Sequence, residues 1–120
     1  MGDYKDLIVF QKAYRLAMDI FEESKNFPPG ERYSLTDQIR RSSRSVWSNL
    51  AEAYRKRRYK AHFLSKLSDS ETENTETEVW LDFSKDCKYL TSEKHADFIF
   101  RNAEVGKIIW SMINNPDKFI

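Results

Sequence analysis

The sequence predicts an all-α protein, an antiparallel up-down-up-down four-helix bundle occupying residues 1–120 as a single domain. Three observations carry that expectation. Only three glycines and three prolines occur in 120 residues, grouped so that they divide the chain into long uninterrupted stretches. Within those stretches apolar side chains recur every three or four positions, the spacing of one helical face. The connections between them are short, and a connection of a few residues can only return the chain beside the helix it has just left.

Helix one is expected over about 5–26, where Leu7, Phe10, Ala13, Tyr14, Ala17, Ile20 and Phe21 share a face. Phe27-Pro28-Pro29-Gly30 stops it, because a residue before proline is pushed out of the α region and proline lacks the helical N–H donor. Helix two is expected over about 34–57, with Ser34 as the cap, Asp37 three positions later, and Leu35, Ile39, Val46, Leu50 and Tyr54 as its apolar residues. Helix three, about 60–90, contains the segment SDSETENTETE from Ser68 to Glu78, which has no apolar side chain. Phe63, Leu64 and Leu67 precede it, Val79, Trp80, Phe83, Cys87 and Leu90 follow it, and no glycine or proline interrupts Lys60 to Leu90. Glutamate forms helices well and threonine only moderately poorly, so one rod of about 45 Å is expected here rather than a linker. Helix four, about 92–115, is capped by Thr91 and Ser92 and ended by Asn114, Asn115 and Pro116. It carries two apolar stripes: Ala96, Ile99, Ala103, Gly106, Trp110 and Ile113 in one, and Phe98, Val105, Ile109 and Met112 in the other. Together they widen the apolar arc past the single face that a bundle core covers, so Phe98, Val105, Ile109 and Met112 are expected to form an interface with another copy of the chain.

Charge narrows the function. Twenty Lys and Arg face nineteen Asp and Glu, so the net charge of +1 gives no global attraction to nucleic acid or acidic membrane, and any electrostatic function must be local. The two halves are nevertheless complementary, with 13 basic and 8 acidic residues up to Lys60 and 7 and 11 beyond it. A single cysteine, Cys87, excludes an internal disulfide and is expected to pack as a small core residue. No run reads as a signal peptide or membrane span, so a cytoplasmic protein without a membrane partner is expected.

Antiparallel pairing about a turn near Arg58 sets Arg40, Arg41 and Arg44 opposite Glu76, Thr75 and Thr72. Helix two also carries a polar stripe, Gln38, Arg41, Ser45, Asn49 and Glu52, spaced three or four apart. The acidic segment is therefore expected to be half of a polar layer in which Glu73 or Glu76 pairs with Arg40, Arg41 or Arg44. A buried charge left without its partner costs about 3–5 kcal/mol while a complete pair adds little net stability, so such a layer would serve alignment of the helices more than stability. The bland alternative places those carboxylates in water on an exposed face.

The run from Leu35 to Tyr54, with QIRR at Gln38 to Arg41 and SVWSNLAEAY at Ser45 to Tyr54, resembles the signature of the four-helix-bundle proteins encoded in intervening sequences of bacterial 23S rRNA genes. The opening DLIVFQKAYRLA, the FPPGE turn and FLSKLSDSETE in helix three extend the resemblance across almost the whole chain. The family pattern commonly has glycine after N-x-x-E, where this chain has Ala53. That family is in turn similar to the accessory variability determinant of diversity-generating retroelements, a homopentameric bundle associated with a reverse transcriptase and its RNA. The resemblance implies a homo-oligomer, with a pentamer as the suggested state, partnered by RNA or a nucleic-acid enzyme.

The candidate functional surface is Arg55-Lys56-Arg57-Arg58-Tyr59-Lys60, five cations and one aromatic at the turn between helices two and three. Two readings are open. In one, the cations offset the helix dipole and keep the turn soluble, and the protein is a structural or protein-interaction module with no nucleic-acid role. In the other, assembly repeats the patch around an axis, its cations bind RNA or DNA phosphates, and Tyr59 stacks on a base. No enzyme, metal, cofactor or small-molecule substrate is expected. A di-iron bundle needs Glu-x-x-His pairs, but the residues three before His62 and His95 are Tyr59 and Ser92. His62 is expected at a partly exposed helix position, and no glycine-rich phosphate loop occurs.

Overall fold

The computed structural model describes residues 7–120, so the predicted start of helix one at Lys5 lies outside the described residues. Four helices follow in order: α1 Ile8–Ser24, α2 Leu35–Arg55, α3 Lys60–Asp86 and α4 Ser92–Asn114, with single 3-10 turns at Pro29–Glu31 and Pro116–Lys118. Each helix packs against two neighbours, α1 on α2 and α4, and α3 on α2 and α4. The result is a four-helix bundle about 44 Å long and 22–25 Å across.

The helix boundaries have local causes. Ser34 occupies the cap position of α2 but does not cap it: its hydroxyl donates to Glu31 Oε1 at 2.6 Å, tying the proline turn to the helix start. Thr91 does cap α4, its Oγ1 accepting from the Lys94 N–H at 3.1 Å. Helix α3 stops at Asp86, four residues short of the expected end at Leu90. There Lys88 takes a left-handed conformation, φ 66°. The Tyr89 N–H then bonds the Ser84 carbonyl at 2.8 Å and the Lys88 N–H the Lys85 carbonyl at 2.9 Å. This is the paired closure usually made with glycine after the helix, here made with lysine. Cys87, expected in the core, is instead exposed at this end because the chain has already turned.

The acidic segment is helical throughout. The α3 positions Phe63, Leu67, Ser70, Thr77, Leu81 and Ser84 are all buried at three-four and seven spacing, so the inward stripe continues through Ser68–Glu78 using small hydroxyl residues instead of aliphatic ones. Ser70 Oγ donates to the Val46 carbonyl at 2.8 Å. A side chain that short reaches a neighbouring backbone only where α2 and α3 approach closely. Thr77 Oγ1 lies 2.9 Å from both the Glu73 carbonyl and Ser42 Oγ, so it can donate to the first and accept from the second. On the α4 side, Asn74 Nδ2 donates to Asn102 O and Oδ1, both at 3.0 Å, and Asn102 Nδ2 returns a bond to the Asn74 carbonyl at 2.9 Å.

These groups form a polar waist that separates two apolar clusters. One contains Val9, Phe10, Ala13, Val46, Leu50, Ala53, Phe63, Leu67, Val105, Ile109 and Met112; the other Leu16, Ile20, Phe27, Leu35, Ile39, Leu81, Leu90 and Phe98. Nearly every buried polar atom is satisfied, as burial requires. Among the described residues, Thr36 Oγ1 is the one buried side-chain oxygen without a partner.

Candidate nucleic-acid interface

The antiparallel topology gathers the C-terminal ends of α2 and α4 and the N-terminal ends of α1 and α3 at one pole, and the basic turn sits there. Arg57 is used by the fold: its Nε donates to the Tyr54 carbonyl at 2.8 Å and its guanidinium lies 3.5 Å from the Tyr54 ring centre. Lys60 pairs with Asp117 at 3.2 Å, fastening the chain's last turn to the start of α3. Arg55, Lys56 and Arg58 are exposed and have no side-chain hydrogen bond or ion pair to another described residue. Tyr59 is 58 % exposed, its ring 5.8 Å from that of His62, which is itself exposed. The pole therefore offers three uncommitted cations beside an accessible aromatic ring.

The polar-layer residues distribute differently from one another. Arg41 takes both glutamates: Nη1 to Glu73 Oε2 at 2.9 Å, Nη2 to Glu73 Oε1 at 3.3 Å, and Nη2 to Glu76 Oε1 at 2.6 Å. Its Nε donates to Gln38 Oε1, and Trp80 Nε1 donates to the same Glu76 oxygen that Arg41 holds. Hydrogen bonding to Glu73 and then Glu76 raises the Arg41 pKa, and the Arg41 bond is the largest influence holding the Glu76 carboxyl below its ordinary value. With Arg41 44 % and Glu73 17 % exposed, this is a bridge on the flank of the bundle. The dry part of the layer is the Ser, Thr and Asn waist. Glu52 reaches Lys66 across α2 and α3 at 3.7 Å, and Asn49 Nδ2 bonds the Ser45 carbonyl within α2.

Arg40 and Arg44 depart from the expectation that they meet the acidic segment. Both turn toward α1, because the side of α2 on which they lie faces that helix: Arg40 Nε donates to Ser24 Oγ at 2.7 Å, and the two guanidiniums stand 4.8 and 5.3 Å from the Phe21 ring centre. The expected copy-to-copy interface is also corrected. Phe98, Val105, Ile109 and Met112 are between 0 and 2 % exposed, inside the chain's own core. The two α4 stripes are exchanged, since α4 turns that set toward α1 and the others and leaves Ala103 and Trp110 outside, Trp110 at 60 % exposure. Ala103, Gly106, Lys107 and Trp110 line an open groove with Glu71, Thr72, Asn74 and Thr75 of α3.

At the opposite pole Glu31 accepts from Ser34 and from Tyr89 Oη at 2.9 Å. Those bonds, Ser34's first, lower the Glu31 pKa, and the Glu31 bond raises that of Tyr89. His95 Nε2 lies 2.8 Å from Asp82 Oδ1, joining α3 to α4. Among the described residues no group of three His, Cys, Asp or Glu side chains is placed to hold a metal ion, and no helix is long and apolar enough to cross a membrane. The waist pairs Ser42–Thr77 and Asn74–Asn102 were not anticipated as pairs, although the spacing from Phe63 to Ser84 carries the signal.

The sequence profile of the 23S rRNA-intervening sequence proteins matches residues 5–111. The chain belongs to the 23S rRNA-intervening sequence protein family. A structural relative agrees: the crystal structure of a protein of unknown function from the S23 ribosomal protein family of Bacteroides thetaiotaomicron is 28% identical, with a TM-score of 0.81 over 88% of this chain and 98% of that one. No curated protein matches the sequence. In this chain, Arg55, Lys56 and Arg58 are the cations of the turn that have no side-chain partner among the described residues.

Proposed function

We propose that this member of the 23S rRNA-intervening sequence protein family is a non-enzymatic, self-associating bundle that holds RNA phosphates on its Arg55–Lys60 turn, as an accessory to a nucleic-acid enzyme. The observation that supports it most is that Arg55, Lys56 and Arg58 have no ion-pair or hydrogen-bond partner among the described residues and stand beside exposed Tyr59. The dipole explanation accounts for only part of this cluster. Arg55 in the last turn of α2 meets a negative helix end, but Lys60 opens α3, whose first turn contains no acid, and cations there oppose the positive end of that helix. A run of like charge that costs folding energy at one of its two helix ends is well suited to an anionic ligand.

Self-association is supported by the exposed apolar side chains Trp110 on α4 and Val79 and Phe83 on α3, and by the homo-oligomeric state that the family resemblance suggests, five copies being the number it carries. A second copy on the groove at Ala103, Gly106 and Trp110 would cover an indole otherwise in water. The deciding experiment is a filter-binding titration against a structured RNA at two salt concentrations, with wild type and Arg55→Ala/Lys56→Ala/Arg58→Ala. The variant should stay folded, bind more weakly and show a shallower salt dependence, by about 0.7–0.9 in log–log slope for each lost phosphate contact. Failure of the wild type to bind at low salt would reject the RNA role and leave a protein-interaction module.

A further inference from the structure

Arg40, half-buried, and Arg44, exposed, are held against an aromatic ring instead of carboxylates. Both lie over Phe21, and Lys25 approaches the same ring at 5.0 Å. A ring face stabilises an exposed cation by about 0.5–1 kcal/mol, but it neutralises nothing, and two guanidiniums on one ring repel each other. Arg41 takes Glu73 and Glu76, and Arg101 takes Asp19 and Asp97, whereas Arg57 is held by the Tyr54 carbonyl and ring. Arg40 and Arg44 have no carboxylate partner among the described residues, and only Arg40 Nε makes a hydrogen bond, to Ser24. Their planar forks are oriented by packing and unsatisfied, the state that suits a bidentate oxyanion.

Their position extends the basic turn. At 3.6 residues per turn, Arg40, Arg44, Ala51 and Arg55 fall within about 60° of one another along one flank of α2, the flank that meets α1 at Arg40 and Arg44, and Arg40 to Arg55 spans about 22 Å. Between the two arginine groups the strip carries Ser48, Ala51 and, about 20° from Arg40 around the helix, the half-buried Trp47. Alongside, on α1, Tyr14 is 56 % exposed and stands edge-on to Trp47 with ring centres 6.1 Å apart.

We infer that this strip is a track for single-stranded RNA, with phosphodiesters on Arg40 and Arg44 at one end and on Arg55 and Arg58 at the other, and a base stacked on Tyr14 between them. It rests on the RNA-binding reading of the turn and adds to it a direction, a length and a strandedness. A regular anion ladder is the ligand that spans both arginine groups while offering a flat ring midway, and a strand that covers the strip falls within the about 4–16 nucleotides that single-strand grooves hold.

The test is fluorescence anisotropy of labelled oligouridylates of four and eight nucleotides with the full-length protein. Wild type should bind the eight-mer more tightly than the four-mer. Arg40→Ala/Arg44→Ala should reduce that difference and lower the eight-mer's salt slope by about 1.4, for two phosphates at 0.7 each. Tyr14→Ala should weaken the eight-mer by about five- to 150-fold, the range for one stacked base, and Tyr14→Phe should restore it. Arg40→Lys/Arg44→Lys, which keeps the charge without the fork, guards against a folding defect and should bind at an intermediate level. If Arg40→Ala/Arg44→Ala binds the eight-mer like wild type while Arg55→Ala/Arg58→Ala does not, the track is wrong and the turn alone is the site. If Arg40→Ala/Arg44→Ala disperses an oligomer at unchanged RNA affinity, the strip is a subunit contact and the track is again wrong. No binding of either oligonucleotide or of structured RNA by wild type removes both readings.

Discussion

Replacing Gly106 by alanine should destabilise the bundle, although in most helix interiors the same change stabilises. Alanine is favoured over glycine there by about 0.8–1.0 kcal/mol. In this structure a Cβ at position 106 would stand 2.7 Å from Asn74 Oδ1. The obstacle is the end of a side chain and could move, but Asn74 is committed to Asn102 through two contacts from its Nδ2. Displacing it forfeits about 1–3 kcal/mol at typical net values of 0.5–1.5 kcal/mol per hydrogen bond. The two effects leave a net loss of about 0–2 kcal/mol. Urea denaturation of four proteins measures it: wild type, Gly106→Ala, Asn74→Ala and the double variant. With Asn74 shortened, the two atoms from α3 within 4 Å of the new methyl, Asn74 Oδ1 and Cγ, are gone, so Gly106→Ala in that background should stabilise by about 0.8–1.0 kcal/mol, the opposite sign to its effect in wild type. Equal stabilisation by Gly106→Ala in both backgrounds would show that Asn74 is not pinned against α4, and the close α3–α4 approach described here would be incorrect.

Two further outcomes follow from the flank and the top of the bundle. Arg41→Ala should cost about 1–2 kcal/mol at neutral pH, a value kept low because Arg41 is 44 % exposed. The contribution of Glu76, whose folded pKa is depressed, is complete above its ordinary value of 4.5 and is lost as pH falls through the lower folded value, so thermal melts at pH 7 and pH 3 should show the variant's deficit shrinking in acid; a deficit that grew in acid would contradict the bridge. Lys88→Gly should stabilise by about 0.5–1 kcal/mol, because glycine adopts φ 66° without the penalty that a side chain incurs, and an unchanged melting temperature would mean that the left-handed closure of α3 carries no strain.

The number of helices, their order and the helical state of Ser68–Glu78 were legible because breaker spacing and three-four periodicity are local properties. That one of Arg40, Arg41 and Arg44 would meet Glu73 or Glu76 was legible too, since a short turn fixes the antiparallel alignment to within a helical turn; that Arg41 takes both was not. What escaped reading depends on rotation of a helix about its axis. Helix α4 has two apolar stripes of similar strength, and only the partners on α1 and α3 decide that Phe98, Val105, Ile109 and Met112 go inside. Arg40 and Arg44 differ from Arg41 by a fraction of a turn, and that fraction sends them to Phe21 instead of the glutamates. The early end of α3 escaped because it uses a lysine where glycine would have announced it, and Cys87 went from core to surface with it.

The division of the interior by the Ser42, Thr77, Asn74 and Asn102 groups gives the molecule two separately editable compartments. Side chains such as Leu50 and Leu81 belong to different clusters on opposite sides of that partition, so away from it the size and shape of one oily reservoir can drift without forcing a matching change in the other. A lineage could therefore remodel the pole that carries the basic turn while the far pole stays as it is.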